Sequence, residues 1–134
     1  EGWNPGELVS FEPGKVTARQ PLYRKNTSAQ RSIEISGERL VDTVDVRSTG
    51  AGRASLLLHL QGKVELPEQP APSSAVEFRV RYPSVVMKVR ASATTPVKVT
   101  LTRTPDAPPH QRDSLRFDTD SSEASFTTVF EPAP

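Results

Sequence analysis

Two neighbouring stretches decide the fold: AVEFRVRY at residues 75–82 and VVMKVRA at residues 85–91. In both stretches apolar residues alternate with charged ones, and the apolar positions include Val76, Phe78, Val80, Met87 and Val89. A period of two places these side chains on one face of a β-strand, whereas in a helix they would scatter around the axis. The two stretches therefore predict two strands, each with one buried face.

Pro83 and Ser84 separate the two stretches. Because a proline has no N–H to donate to a strand ladder, we interpret this position as a tight reversal. Residues 75–82 and 85–92 then form a hairpin. The alternative is one long bent strand that passes from one sheet to another.

The rest of the chain carries similar signals for strands and turns. Further strands are predicted at Glu7–Phe11, Arg31–Ser36, Leu40–Ser48, Arg53–Leu60, Val97–Thr102, Asp113–Thr119 and Ser125–Phe130. The Arg53–Leu60 run holds three consecutive leucines, and we interpret it as a central strand buried on both faces. The proline-rich stretches Leu66–Ser74 and Thr104–Arg112 are predicted to be loops, because their prolines cannot join a ladder.

These elements predict an all-β fold. Residues 1–134 are expected to form a single antiparallel β-sandwich of about 8–10 strands, either a jelly roll or an immunoglobulin-like sandwich. Because the chain starts at Glu1 and not at a methionine, we expect a domain cut from, or processed out of, a longer protein.

Composition excludes several functional classes. The 134 residues include 17 basic and 16 acidic ones, which give a net charge of +1 without the basic excess of nucleic-acid-binding proteins. The absence of cysteine excludes disulfides, thiolate catalysis and cysteine-based zinc sites. No apolar run approaches the roughly 18 residues of a membrane helix. We expect a protein or glycan partner, no nucleic acid, no membrane span and an extracytoplasmic location.

The sequence contains no catalytic motif. It lacks G-x-S-x-G, H-E-x-x-H, the P-loop and G-x-G-x-x-G. His59 lies among leucines and is interpreted as a strand histidine on a sheet face. His110 lies in the second proline-rich stretch, where most histidines are simply solvated. We therefore expect no catalytic residues and no enzyme activity.

One candidate binding region is the polar, basic stretch around Tyr23 and Arg24. We interpret Pro21–Asn26, which contains both residues, as a polar and basic loop. An exposed aromatic residue in such a loop can stack on a sugar ring or anchor a protein partner.

A second candidate binding region is a basic ridge formed by outward-facing residues of the predicted hairpin. Arg79, Arg81 and Arg90 would lie on one face with Lys88 between them, and Tyr82 at the turn is a further candidate contact. Such a ridge would bind anionic sugars or an acidic partner. The alternative is a solvated face that discourages edge-to-edge pairing.

The acidic residues Asp118, Asp120 and Glu123 form a candidate calcium site, with Asp113 nearby in sequence. Calcium prefers several carboxylate or hydroxyl oxygens at close range. The EF-hand pattern does not match, because Glu123 occupies the position where that loop needs glycine. The alternative is a solvated turn capped by its own aspartate and serine side chains.

Three stretches in the C-terminal third resemble the jelly-roll carbohydrate-binding modules attached to polysaccharide-degrading enzymes: Val86–Ala93, Pro96–Leu101 and Ser125–Phe130. The resemblance implies a β-sandwich that binds glycans. The chain departs from that family where a tryptophan often precedes the closing strand, since Glu123 and Ala124 stand there.

Three functions are consistent with these observations. We favour a non-catalytic binding or interaction module of a larger secreted, periplasmic or surface protein. The second is a carbohydrate-binding module of a polysaccharide-active enzyme. The third is a structural surface domain of a capsid or fibre, which would assemble as a homo-oligomer.

Overall fold

The computed structural model describes residues 6–24, 26–49, 52–69, 71–105 and 110–134, and all regular structure in these ranges is β-strand. Ten strands follow one another along the chain: β1 (Glu7–Glu12), β2 (Lys15–Arg24), β3 (Thr27–Ser36), β4 (Arg39–Ser48), β5 (Ser55–Leu60), β6 (Lys63–Glu65), β7 (Ser73–Arg81), β8 (Val86–Pro105), β9 (Gln111–Thr119) and β10 (Ala124–Pro132). The predicted all-β, antiparallel fold is confirmed. The described ranges contain no helix with the length and hydropathy of a membrane span.

Eight strands form a large layer in the order β1-β2-β3-β4-β10-β8-β7-β6. Strand β8 is 20 residues long and changes layers. It pairs with β10 as far as Ala93, and from Val97 onward it pairs with β9, which in turn pairs with β5. Pro96 falls between the two paired parts, where its missing N–H removes no ladder hydrogen bond. The second half of β8, β9 and β5 thus form a smaller second layer.

The hydrophobic core lies between the two layers. Phe78, Val80 and Val89 point into it from the large layer, and Leu115 and Phe117 point into it from the small one. All five side chains are almost completely buried. Burying a side chain of this size stabilises a fold by roughly 1.5–3 kcal/mol. The alternating pattern quoted from the sequence therefore lines this core.

The predicted hairpin is confirmed. Strands β7 and β8 pair antiparallel from Arg81–Val86 to Val76–Ala91. Tyr82 closes the turn by donating its backbone N–H to the carbonyl of Val85 at 2.9 Å. The alternative interpretation was one long strand that passes from one layer to the other at Pro83. Strand β8 does pass between the layers, but it does so at Pro96.

The interpretation of Arg53–Leu60 as a central strand is wrong. Among the described residues, strand β5 pairs only with β9, so it lies at the edge of the small layer. Leu58 and Leu60 are buried, but Leu57 points outward and is 48% exposed. Three consecutive leucines concealed the alternation, because the middle one occupies a solvent-facing position.

Other element boundaries also differ from the predictions. Residues 21–24, predicted to lie in a loop, belong to β2, and the three-residue strand β6 was not predicted at all. The predicted loop Thr104–Arg112 overlaps strands at both of its ends, since β8 continues to Pro105 and β9 begins at Gln111. Polar strands without an opposing layer, such as β2, do not need the apolar alternation on which the prediction relied.

Candidate functional site

The basic residues of the hairpin share the outer face of the large layer. Arg79 pairs across the strands with Lys88, and Arg90 pairs with Glu77. Their neighbours Phe78 and Val89 point the opposite way into the core. Side chains alternate along each strand, and paired residues point to the same side, so the cations must face outward.

A groove runs along this outer face at the edge of β7. Strand β6 pairs only with Arg79, Val80 and Arg81, and leaves the remainder of this β7 edge without a strand partner among the described residues. The chain after β6 turns away, and an open cavity of about 610 Å³ lies beside it. Its lining comprises Glu65, Leu66, Pro67, Glu77, Phe78, Arg79 and Lys88.

Carboxylates neutralise part of the predicted basic ridge. Arg81 donates to Glu65 at 2.9 Å, and Arg90 lies 3.8 Å from Glu77. Within the described ranges, Arg79 and Lys88 have no carboxylate at ion-pair distance. The groove therefore presents two cations available to a ligand, flanked by Glu65 and Glu77, which already have partners, and by Glu131, which lies opposite Lys88 on β10.

The groove also offers apolar surface and hydrogen-bonding groups. Leu66 and Pro67 form part of its wall, and neither carries a charge. Glu65 and Glu77 have side chains that are about half exposed, at 44% and 56%, so their second oxygens can accept hydrogen bonds from a ligand. Glu77 was visible in the sequence as an outward position of β7, whereas a three-residue strand gives too short a pattern to reveal Glu65.

The other predicted contact residues lie apart from this lining. Tyr82 is half-buried and packs against the core cluster, where its ring lies close to Gly62. The backbones of Tyr23 and Arg24 belong to β2, and their side chains lie outside the described part of the structure. The groove therefore unites Arg79 and Lys88 of the ridge, while Arg81 and Arg90 act through their partner carboxylates.

Arginine and serine side chains contact the aspartates of the predicted acidic cluster. Asp118 accepts hydrogen bonds from Ser55 at 2.6 Å and Arg116 at 2.8 Å. Asp120 is almost fully exposed, with Arg53 3.7 Å away, and the backbone N–H of Glu123 donates to Ser121. No group of three histidine, cysteine or acidic residues within the described ranges is arranged to hold a metal ion. The calcium site stays a prediction.

The environment of Asp118 stabilises its ionised form. Partial burial by itself would raise the pKa of this carboxyl. The hydrogen bonds from Ser55 and Arg116, together with the charges of Arg116 and Lys98, outweigh that effect and hold the pKa below its ordinary value.

A small polar network surrounds His59 on the outer face of the small layer. Its Nδ1 lies 2.9 Å from the hydroxyl oxygen of Ser114, which lies 2.7 Å from that of Thr104. Ser114 is completely buried, so its hydroxyl cannot reach a substrate. His59 is exposed on a strand, as the sequence predicted, and His110 is exposed just before β9. This geometry provides a structural hydrogen-bond network and not an accessible nucleophile.

Comparison with known proteins identifies the fold. No protein-family model matches the chain, and no curated protein sequence matches it. A solved structure of heparinase III matches 96% of this chain with a TM-score of 0.72 at 19% identity. Two structures of the heparan sulfate lyase HepC from Pedobacter heparinus, one of them a mutant, match 95% with TM-scores of 0.62 and 0.65 at 14% and 13% identity.

The matched region is a small part of each of those proteins. This chain covers 21% of the heparinase III chain and 21% of each HepC chain. At these identities the similarity establishes the fold alone. The chain therefore shares its β-sandwich fold with a region that makes up about one fifth of each of these longer proteins.

Proposed function

We propose that this chain is a non-catalytic β-sandwich module of a polysaccharide-active protein and that its groove binds an anionic glycan. The observation that carries the proposal is the pair of cations, Arg79 and Lys88, in an open groove on a fold found within heparan sulfate and heparin lyases. An extracytoplasmic location belongs to the same proposal, since extracellular polysaccharides are found there.

The lining of the groove matches the chemistry of an acidic sugar chain. Arg79 can form paired hydrogen bonds with a carboxylate or sulfate, and Lys88 adds a point charge beside it. The apolar wall of Leu66 and Pro67 can contact the C–H faces of a sugar ring. Glu65 and Glu77 hold Arg81 and Arg90 in place and present oxygens to sugar hydroxyls. An open groove accepts the middle of a long chain, whereas a closed pocket would accept only an end.

A protein-binding module is the second candidate, because an acidic peptide would present similar charges to the same groove. A structural role in a capsid or fibre has no specific support in the groove. We favour the glycan because the structural matches are polysaccharide lyases and because the groove is lined mainly by charged residues, which are scarce in the centre of protein–protein interfaces.

Binding should be measured by calorimetry with heparan sulfate oligosaccharides, with a neutral glucan as the comparison ligand. We expect binding to heparan sulfate that weakens with added salt, because exposed charges are screened. The double variant Arg79→Ala/Lys88→Ala should lose at least about tenfold in affinity, which corresponds to about 1.4 kcal/mol.

The matched control is Arg53→Ala/Lys98→Ala. This variant removes one exposed arginine beside β5 and one exposed lysine from the part of β8 that pairs with β9, so it loses two positive charges on the opposite side of the molecule from the groove. We expect it to retain most of the affinity. Equal losses in the two variants would indicate non-specific attraction, and no binding to either ligand would favour the protein-binding module.

A further inference from the structure

The face of the large layer that points into the core continues beyond the small layer, across strands β1, β2 and β3. Residues that are paired across neighbouring strands lie on the same face of the sheet. One such row runs from the core residue Phe126 through Val44, Arg31 and Ala18 to Leu8. A neighbouring row on the same face, two residues along β3, consists of Ile33, Val16 and Phe11. We call this uncovered surface the β1–β3 face; it comprises the exposed residues Leu8, Phe11, Ala18, Arg31 and Ile35 and the half-buried residues Val16 and Ile33.

Large apolar side chains of the β1–β3 face are open to solvent. Phe11 is 78% exposed, Leu8 is 67% exposed and Ile35 is 57% exposed. In contrast, Phe78 and Phe126 on the same side of the same sheet are at most 3% exposed under the small layer. A contiguous exposed apolar surface of this kind usually marks a contact surface.

A fixed arginine lies within the β1–β3 face. Arg31 donates from Nε and Nη2 to the two carboxylate oxygens of Asp42 at 2.9 and 2.6 Å. The side chain of Asp42 is 4% exposed, whereas that of Arg31 is 52% exposed. Arginine beside aromatic and aliphatic residues is typical of the centre of protein–protein contacts. The occupant is therefore a protein surface with apolar side chains and an acceptor for the remaining N–H groups of Arg31.

Edge-to-edge pairing with a second copy of the chain is disfavoured at β1, and it would in any case leave the β1–β3 face uncovered. Strand β1 is an outer strand of the sheet and carries Glu7 and Glu12 near its two ends. If two copies of β1 paired antiparallel with Leu8 opposite Phe11, Glu7 of each copy would lie opposite Glu12 of the other. Like charges that face one another across strands are destabilising.

We propose that another segment of the same polypeptide, in a longer protein that contains this module, covers the β1–β3 face as a further layer. The segment extends the sandwich, because the face is continuous with the core that the small layer covers elsewhere. The three structural matches support this occupant, since in each of them the shared fold is one fifth of a longer chain. The proposal does not depend on glycan binding.

Hydrogen–deuterium exchange tests the proposal by comparing the 134-residue chain with the complete natural polypeptide that contains it. In the short chain, we expect rapid exchange of the amides of β1 and β2, because these strands open locally when no second layer packs on their apolar face. In the complete polypeptide, the same amides should exchange at least about tenfold more slowly. Equal exchange rates in the two proteins would overturn the proposal, and so would a natural polypeptide that ends at these 134 residues.

Substitution supplies a second, independent measurement. Phe11→Ser/Ile35→Ser should abolish binding of an apolar dye to the short chain and leave its melting temperature within a few degrees, because both side chains are already exposed. In the complete polypeptide the same change should lower the melting temperature clearly. The matched control is Leu57→Ser/Val85→Ser, which alters two exposed apolar residues elsewhere and should have little effect in either protein.

Light scattering tests whether a second copy of the chain covers the β1–β3 face instead. We expect the short chain to be monomeric at micromolar concentration. A stable dimer that Phe11→Ser/Ile35→Ser dissociates would assign the face to a second copy and overturn the proposal. Glycan affinity should be unchanged by Phe11→Ser/Ile35→Ser. The proposal for the β1–β3 face and the proposal for the glycan groove can therefore fail independently of each other.

Discussion

At the scale of single residues, the ion pairs of the large layer differ widely in their burial. Asp42 is almost completely buried against Arg31, whereas the similar pair of Arg19 and Glu7 is half exposed on both sides. Exposed pairs contribute little to stability because water and salt screen them. Residue-level effects therefore depend on what surrounds each charge and not on how many pairs the surface carries.

Asp118 predicts a specific pH dependence of stability. Its pKa is lower in the folded chain than its ordinary value, so its ionised form stabilises the fold above pH about 4, and this contribution is lost as the pH falls through the lowered pKa. The side chain is about one third exposed, and screening limits the contribution to less than about 1 kcal/mol.

Asp118→Asn should therefore be less stable than the unchanged chain at pH 7, and the difference should shrink as the pH falls below the ordinary pKa of an aspartate. Urea unfolding at several pH values measures this. Asp120→Asn is the control, since that carboxylate is 95% exposed, and its curve should overlay that of the unchanged chain. A difference for Asp118→Asn that stayed constant down to acidic pH would contradict the assignment.

At the scale of elements, the turn between β5 and β6 depends on a glycine. Gly62 is buried, and a Cβ atom there would lie 2.5 Å from Cγ1 of Val80 and 2.9 Å from the carbonyl oxygen of Arg81. Val80 is fully buried and cannot move aside. The turn sets the position of β6 and thereby of the groove edge.

Gly62→Ala should destabilise the chain by about 1–3 kcal/mol, the usual cost of overpacking a tight core. Gly6→Ala is the matched control, because its Cβ would meet only the carbonyl of Arg19 at an ordinary 3.7 Å. Chemical denaturation of the two variants measures the difference. Equal stabilities would mean that the β5–β6 turn can relax around a methyl group.

Element positions were partly predictable from sequence, and β7 and the start of β8 were the clearest cases. Their alternation is strong because one side faces the core and the other faces water. Strand β2 was missed because its sequence, KVTARQPLYR, contains a proline and no sustained apolar alternation. Strand β6 was missed because three residues cannot display a period.

At the scale of the whole molecule, the chain is a sandwich whose large layer extends well beyond the small one. The groove and the β1–β3 face lie on opposite sides of this layer, the first on the outer face of β7 and the second on the core-side face. The two proposed contacts therefore use separate surfaces and would not compete with each other.

Metal dependence is also a property of the whole molecule, because a bound ion would stabilise the fold by mass action. We expect the melting temperature to be the same in calcium and in excess chelator, since Asp118 and Asp120 have arginine partners and the described residues form no group that could hold a metal. Differential scanning calorimetry measures this. A rise of several degrees with calcium would assign the Asp118–Glu123 turn to metal binding.

The sequence by itself determined that the chain is all-β, where the central hairpin turns and which of its side chains face outward. Alternation reports local burial, and that information lies in neighbouring residues. Only the tertiary structure decided that β8 changes layers, that β5 is an edge strand and that β6 ends early enough to open a groove. These features depend on hydrogen-bond partners far apart in the chain, such as β5 with β9, and no local pattern specifies them.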